Sequence, residues 1–139
     1  VARLAHAAAT WYNWEDGSTK TPLAWYEGNA LLSMGQLDAA WEPLEVAWAQ
    51  APWHPMVANN RAITLAMKGR VDEAIALMET LLATFPAFDE TRANLIRLHI
   101  AKRQFVAATD LLRYWDGQTT NLLGNQVRAE LEAAVHGIP

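Results

Sequence analysis

The chain has 139 residues, of which 52% are hydrophobic and 19% are charged, and its formal net charge is −4. An acidic balance argues against nucleic acid as a partner, because nucleic-acid-binding domains carry a basic face. The absence of cysteine excludes disulfide bonds and thiolate zinc sites. No apolar run approaches the roughly 18 residues that a membrane span needs, so we predict no span in this segment.

Two glycines, Gly35 and Gly69, lie 34 residues apart, and their surroundings repeat at that spacing. The segments 35–40 and 69–74 share Gly, Asp and Ala at matching positions, and prolines follow each segment at the same offset. A repeat of this length that contains two helical patterns is typical of a helical solenoid. We therefore predict an all-α fold without a β-sheet.

The elements follow from this register and from local breaker residues. Trp14 lies 34 residues before Trp48, which indicates that a truncated repeat precedes the first complete one. In chain order, the predicted helices span about residues 2–14, 23–34, 37–50, 55–68, 71–84, 89–102, 105–115 and 121–135. We predict a single domain, residues 1–139, whose parts are a truncated repeat at 1–20, three repeats at 21–54, 55–88 and 89–120, and a capping helix at 121–139.

Individual residues support these boundaries. Pro22 suits the first turn of a helix, where a missing N–H costs nothing. Gly35 and Gly69 permit the left-handed turn at a helix end, whereas Arg103 stands at the corresponding position of the third repeat. Asp89 is a favourable residue for capping the N-terminus of the next helix.

The first repeat resembles a tetratricopeptide repeat. Small Gly28 and Ala40 stand where that repeat brings its two helices close together, and large Leu31 and Leu44 stand one turn after each. Ala47 holds the next inward position, and Pro52 ends the unit. In the second and third repeats the same positions hold Ala62, Leu65, Ala74, Met78, Leu81 and Pro86, and then Ile96, His99, Ala108, Leu112, Trp115 and Thr120. The resemblance covers about residues 21–120 and implies a tetratricopeptide-type solenoid of about three repeats, a partial N-terminal helix and a C-terminal capping helix.

Sequence signs of catalysis are missing. The four histidines have no metal-ligand spacing, and neither an HExxH motif, a phosphate-binding glycine loop nor a Gly-x-Ser-x-Gly elbow occurs. His99 falls in a core position of the repeat, so we expect it to be a buried or half-buried filler. We predict no enzyme activity, no catalytic residues, no metal and no cofactor.

The seven tryptophans are unusual for a chain of this length. Trp41 and Trp48 lie seven residues apart and therefore on one face of a helix, which favours packing between helices over a partner-binding belt. Trp53, between two prolines in a loop, fits an exposed position as well as a packed one.

In tetratricopeptide stacks the first helix of each repeat lines a concave groove that binds partner peptides. Carried over, this resemblance implies a mostly apolar groove with amide and guanidinium donors. The implied groove residues are Trp25, Asn29, Leu32, Asn59, Ile63, Met67, Ala93, Arg97 and Ile100. Some relatives clamp an acidic chaperone tail, and Asn29 and Arg97 match that clamp, but its remaining positions hold Trp25, Ile63 and Ala93.

Two functions remain open at this level. The first is a non-enzymatic scaffold that binds a peptide or helix of a partner protein in the concave groove. The second is a structural or assembly appendage of a larger protein, such as a bacterial envelope or secretion component, which packs against its own chain or associates with another copy. The chain starts at Val1, so we expect a piece of a longer protein, and both the cytoplasm and the periplasm are compatible with its composition.

Overall fold

The structure is a computed structural model of the chain and describes residues 20–137. These residues form an all-α fold, as predicted, and the predicted helix of residues 2–14 lies outside them. The seven helices are α1 Leu23–Ser33, α2 Leu37–Gln50, α3 Pro55–Met67, α4 Val71–Thr84, α5 Asp89–Ala101, α6 Phe105–Leu112 and α7 Leu122–Val135. A 3₁₀ turn, Arg113–Trp115, replaces the last turn of the helix predicted to end at Trp115.

The chain divides into two compact units, Val1–Leu77 and Met78–Pro139. In the first unit, buried side chains of α1, α2 and α3 form one core, and in the second unit α5, α6 and α7 form another. The first core contains Ala24, Trp25, Ala40, Leu44, Ala47 and Val57. The second contains Ala93, Ile96, Ala108, Leu112, Trp115, Val127 and Leu131. The assignment of three repeats and a capping helix to one domain stays a prediction.

The first unit depends on a close approach of α1 and α2 at Gly28. A Cβ atom built there would lie 2.5 Å from both Cγ and Cδ2 of Leu44, which is itself buried. Ala40 has no exposed surface, and Ala74 is buried to the same degree. Small residues at these positions let the helix backbones approach, so the predicted small positions of the repeat are confirmed.

A left-handed residue ends each first helix. After α1, the N–H of Gln36 donates to the carbonyl of Leu31 at 3.0 Å, and Gly35, with φ 74°, donates to Leu32 at 3.0 Å. The same pair of bonds closes α3 at Gly69, with φ 85°, and α5 at Arg103, with φ 57°. This is a Schellman motif, in which the left-handed residue lets the chain reverse while the last carbonyls stay hydrogen-bonded.

The start of α5 corrects one expectation. Phe88, not Asp89, occupies the N-cap position, and it makes no side-chain cap. The Asp89 carboxylate instead accepts a hydrogen bond from Trp115 Nε1 at 2.9 Å and one from Asn121 Nδ2 at 3.5 Å. Because Asn121 also caps α7 through Gly124 N at 2.9 Å, these three side chains join the start of α5 to the end of α6 and the start of α7.

The buried side chain of Arg92 connects separate segments of the second unit through hydrogen bonds to two backbone carbonyls. It is buried, its Nη2 donates to the Pro86 carbonyl at 2.9 Å, and its Nη1 donates to the Leu111 carbonyl at 3.3 Å. Its guanidinium carbon lies 4.0 Å from the centre of the Tyr114 ring. Burial lowers the pKa of Arg92 from its usual value. The charge is thus compensated by carbonyl dipoles and a ring face.

Ala40→Leu should lower the free energy of unfolding by about 1–3 kcal/mol, because the added atoms overpack a filled crossing. Ala39→Leu is the matched control, since Ala39 is exposed and should change stability by less than about 0.5 kcal/mol. Urea unfolding followed by circular dichroism measures both. Equal stability of the two variants would contradict the assigned helix register.

Gly69→Ala should cost about 1 kcal/mol, because alanine is strained at a positive φ. The control is Arg103→Ala, where a side chain already occupies the left-handed conformation, so its cost should be clearly smaller. Thermal unfolding compares the two variants. A larger loss at Arg103 would show that contacts of its side chain, such as the one with the Phe105 ring, outweigh the backbone effect.

Candidate functional site

In the first unit, a hydrogen bond between two asparagines connects α1 and α3, the first helices of the first two repeats. Asn60 Nδ2 on α3 donates to Asn29 Oδ1 on α1 at 2.9 Å, and Asn60 is buried while Asn29 is half-buried. Sequence reasoning selected Asn59, which is fully buried, and missed its neighbour Asn60. Spacing does not separate the two, because Asn59 and Asn60 precede Ile63 by four and three positions, and both spacings place residues on one face of a helix.

This hydrogen bond orients the Asn29 side chain. Since its Oδ1 accepts from Asn60, its amide nitrogen turns to the opposite side and keeps two N–H donors. Within residues 20–137, no acceptor is bonded to that nitrogen. Because the orientation of this amide is already fixed, it can donate to a peptide carbonyl with little further loss of side-chain entropy.

Apolar side chains accompany the asparagine pair on the same two helices. Leu32 follows Asn29 by one turn on α1 and is half-buried, as is Ile63 on α3. Met67, one turn beyond Ile63, is 52% exposed. An exposed methionine is adaptable and accommodates apolar groups of different shapes. We refer to Asn29, Asn60, Leu32, Ile63 and Met67 as the asparagine surface.

Three of the expected groove residues contribute to a core instead of an open surface. Trp25 is only 8% exposed and packs edge-on against Tyr26, with ring centres 5.0 Å apart. Asn59 has no exposed surface, and Ala93 belongs to the core of the second unit. Each of the three lies one helical turn before another expected groove residue, at positions 29, 63 and 97, so the expected stripe is buried at its first turn and becomes more open one turn later.

Arg97, the expected cationic groove residue, already has a partner in the second unit. Its Nε and Nη2 donate to the two carboxylate oxygens of Glu130 on α7 at 2.9 and 3.0 Å. The hydrogen bonds from Arg97 lower the pKa of Glu130, and those to Glu130 raise the pKa of Arg97. Ile100, one turn further along α5, is half-buried against the core.

Two cations lie over the rings of Trp41 and Trp48 on α2, and the sequence alone did not predict these contacts. Both tryptophans are half-buried, and the guanidinium carbon of Arg61 lies 4.9 Å from the centre of the Trp48 ring, while Lys68 Nζ lies 4.6 Å from that of Trp41. Arg61 also forms an ion pair with Glu45. These contacts join α2 to α3, so both rings serve the packing between helices, as expected. Trp53 is exposed.

Two histidines of the described residues serve packing and helix capping. His99 is buried, as expected, and its Nδ1 lies 2.8 Å from Gln104 Oε1. His54 caps α3 by accepting from Met56 N at 3.2 Å, and its Nε2 lies 2.9 Å from Thr21 Oγ1. Among the described residues, no group of three or more histidine and carboxylate side chains could hold a metal ion. No helix in the same range is long and apolar enough to cross a membrane.

The helices, turns and surfaces described above define an all-α helical repeat protein. Residues 65–121 match the family model described as Tetratricopeptide repeat, and this match supports a tetratricopeptide-repeat protein. Neither a curated protein nor a solved structure matches the chain significantly. Tetratricopeptide repeats generally mediate protein–protein interactions and are typically non-enzymatic.

The ion pair between Arg97 and Glu130 predicts a pH dependence. Because the pKa of Glu130 is lowered on folding, its contribution to stability is complete above its unfolded pKa, about 4.3, and is lost as the pH falls through the folded value. Glu130→Gln should therefore destabilise the protein more at pH 6 than at pH 3. Urea unfolding of both proteins at the two pH values measures this difference, and an equal effect at both would contradict the pairing.

Proposed function

We propose that the protein is a non-enzymatic scaffold that binds an uncharged, partly apolar segment of a partner protein along its first helices. The observation that carries this proposal is the asparagine surface. It combines an amide donor fixed at Asn29 with accessible apolar side chains, above all Met67. A carbonyl of a partner peptide could accept a hydrogen bond there while the apolar side chains of the peptide cover Leu32, Ile63 and Met67.

The charge distribution supports an uncharged ligand. None of the five residues of the asparagine surface is charged. The cations nearest to it in sequence are engaged elsewhere: Arg61 on α3 with Glu45, and Lys68, directly after α3, with the Trp41 ring. With a net charge of −4, the chain also offers little attraction to nucleic acid. The proposed ligand is therefore a protein or peptide recognised by hydrogen bonds and apolar contact.

One observation favours the second function, an assembly appendage that associates with its own chain or another copy. In the second unit, Leu122 is 82% exposed and Val106 is 78% exposed. Each of these apolar side chains would be removed from water if another copy of the chain covered it. Sedimentation across a range of protein concentrations tests this alternative, since Leu122→Glu should abolish any association that depends on this side chain.

Met67→Glu should weaken binding of a partner peptide by about tenfold or more, because a carboxylate would replace an exposed apolar contact. The ligand can be a peptide selected on the wild-type protein from a random twelve-residue display library. The matched control is Val46→Glu, which places the same charge at an exposed apolar position of α2. Fluorescence anisotropy with the labelled peptide measures both affinities.

Two results would contradict the proposed binding site or the proposed function. Binding that survives Met67→Glu but is lost in Val46→Glu would move the site to the second helices. A wild-type protein that selects no peptide would refute the scaffold proposal.

A further inference from the structure

Arg97 is the only cation among the nine groove residues that the sequence implies. A guanidinium on a peptide-binding face is the natural partner of a ligand carboxylate, because its planar fork binds both oxygens. Here Glu130 occupies that fork with two hydrogen bonds, at 2.9 and 3.0 Å. The two side chains are 36% exposed each, so a ligand could reach the pair from solvent.

The backbone of Glu130 is held firmly in place. Val127 and Leu131, which flank it on α7, are both buried in the core of the second unit. Asn121 caps the same helix and contacts Asp89 on α5. A carboxylate tethered so close to Arg97 acts at an effective concentration in the millimolar range or above. An external carboxylate must compete with it.

We propose that Glu130 is a specificity-determining residue that occupies Arg97 and so makes this face reject carboxylate-bearing ligands. The inference rests on the proposed function, because it assumes that the protein binds peptides and that α5 takes part in binding within the second unit. It extends the proposed function by stating which chemical class of ligand the second unit does not bind. An acidic side chain or a free C-terminal carboxylate finds the guanidinium of Arg97 already hydrogen-bonded to Glu130 and is repelled by the negative charge of Glu130. An uncharged segment is not affected in either way.

The Glu130→Gln variant frees Arg97 while it keeps the size and helix propensity of the side chain. Peptides are selected from a random twelve-residue display library on the wild type, on Glu130→Gln and on Glu132→Gln. The last variant removes the same charge from an exposed position on the same helix, outside the ion pair. Circular dichroism and urea unfolding establish that each variant is folded.

We expect peptides selected on Glu130→Gln to be enriched in Asp and Glu relative to those from the wild type and from Glu132→Gln. A synthetic peptide from that selection should bind Glu130→Gln about fivefold or more tightly than the wild type, since the ion pair leaves Arg97 free only a minor part of the time. Adding Arg97→Gln to Glu130→Gln should abolish the acidic preference, which a merely structural role of the pair would not do.

The same acidic content in all three selections, or an acidic preference that survives Arg97→Gln, overturns the inference. So does a failure of Glu130→Gln to select acidic peptides, whether or not the wild type selects peptides of its own. The two proposals fail separately. Wild-type peptides that depend on Met67 preserve the scaffold function if the Glu130 inference fails, and acidic peptides on Glu130→Gln preserve the inference if the wild type selects none.

Discussion

The close crossing of α1 and α2 at Gly28 is the contact on which the first unit depends. With Leu44 filling the space where a Cβ would stand, the two helices meet at backbone distance, and the larger side chains of α1 are directed to the sides of the crossing. Trp25 lies in the core that forms around this crossing, and Leu32 packs against the same core. Asn29, one turn after Trp25, is half-buried and accepts the hydrogen bond from Asn60. The close crossing thus positions both the core of the first unit and the α1 residues of the asparagine surface.

Local sequence signals predicted most of the fold. The left-handed positions and the helix limits follow from Gly35, Gly69 and the flanking prolines, because turn formation depends on a few neighbouring residues. The third repeat agrees even though Arg103 replaces glycine. Its αL conformation is the more strained one, and the two main-chain bonds of the motif still form there. Arg103 therefore adopts this conformation because the helices on either side require it.

The candidate site could be predicted less well, for two physical reasons. Asn59 and Asn60 differ by about 100° of helix rotation, but a 34-residue register is not precise enough to tell which of the two hydrogen-bonds to Asn29. The structure shows that Asn60 does so. The partner of Arg97 is 33 residues away, and nothing local in the sequence indicates that Glu130 approaches it. Long-range ion pairs depend on the docking of whole helices, which periodicity alone does not define.

Three arginines within residues 20–137 serve the structure of the protein itself, and this bears on what the chain can bind. Arg61 joins α2 to α3 through Glu45 and Trp48, Arg92 closes the second unit through two carbonyls, and Arg97 is paired with Glu130. Each guanidinium that is engaged in this way is removed from the set of groups that attract an acidic ligand. The asparagine surface itself carries only amide and apolar side chains. Recognition would then depend on shape and hydrogen bonding, and it should be much less sensitive to salt than recognition through charge.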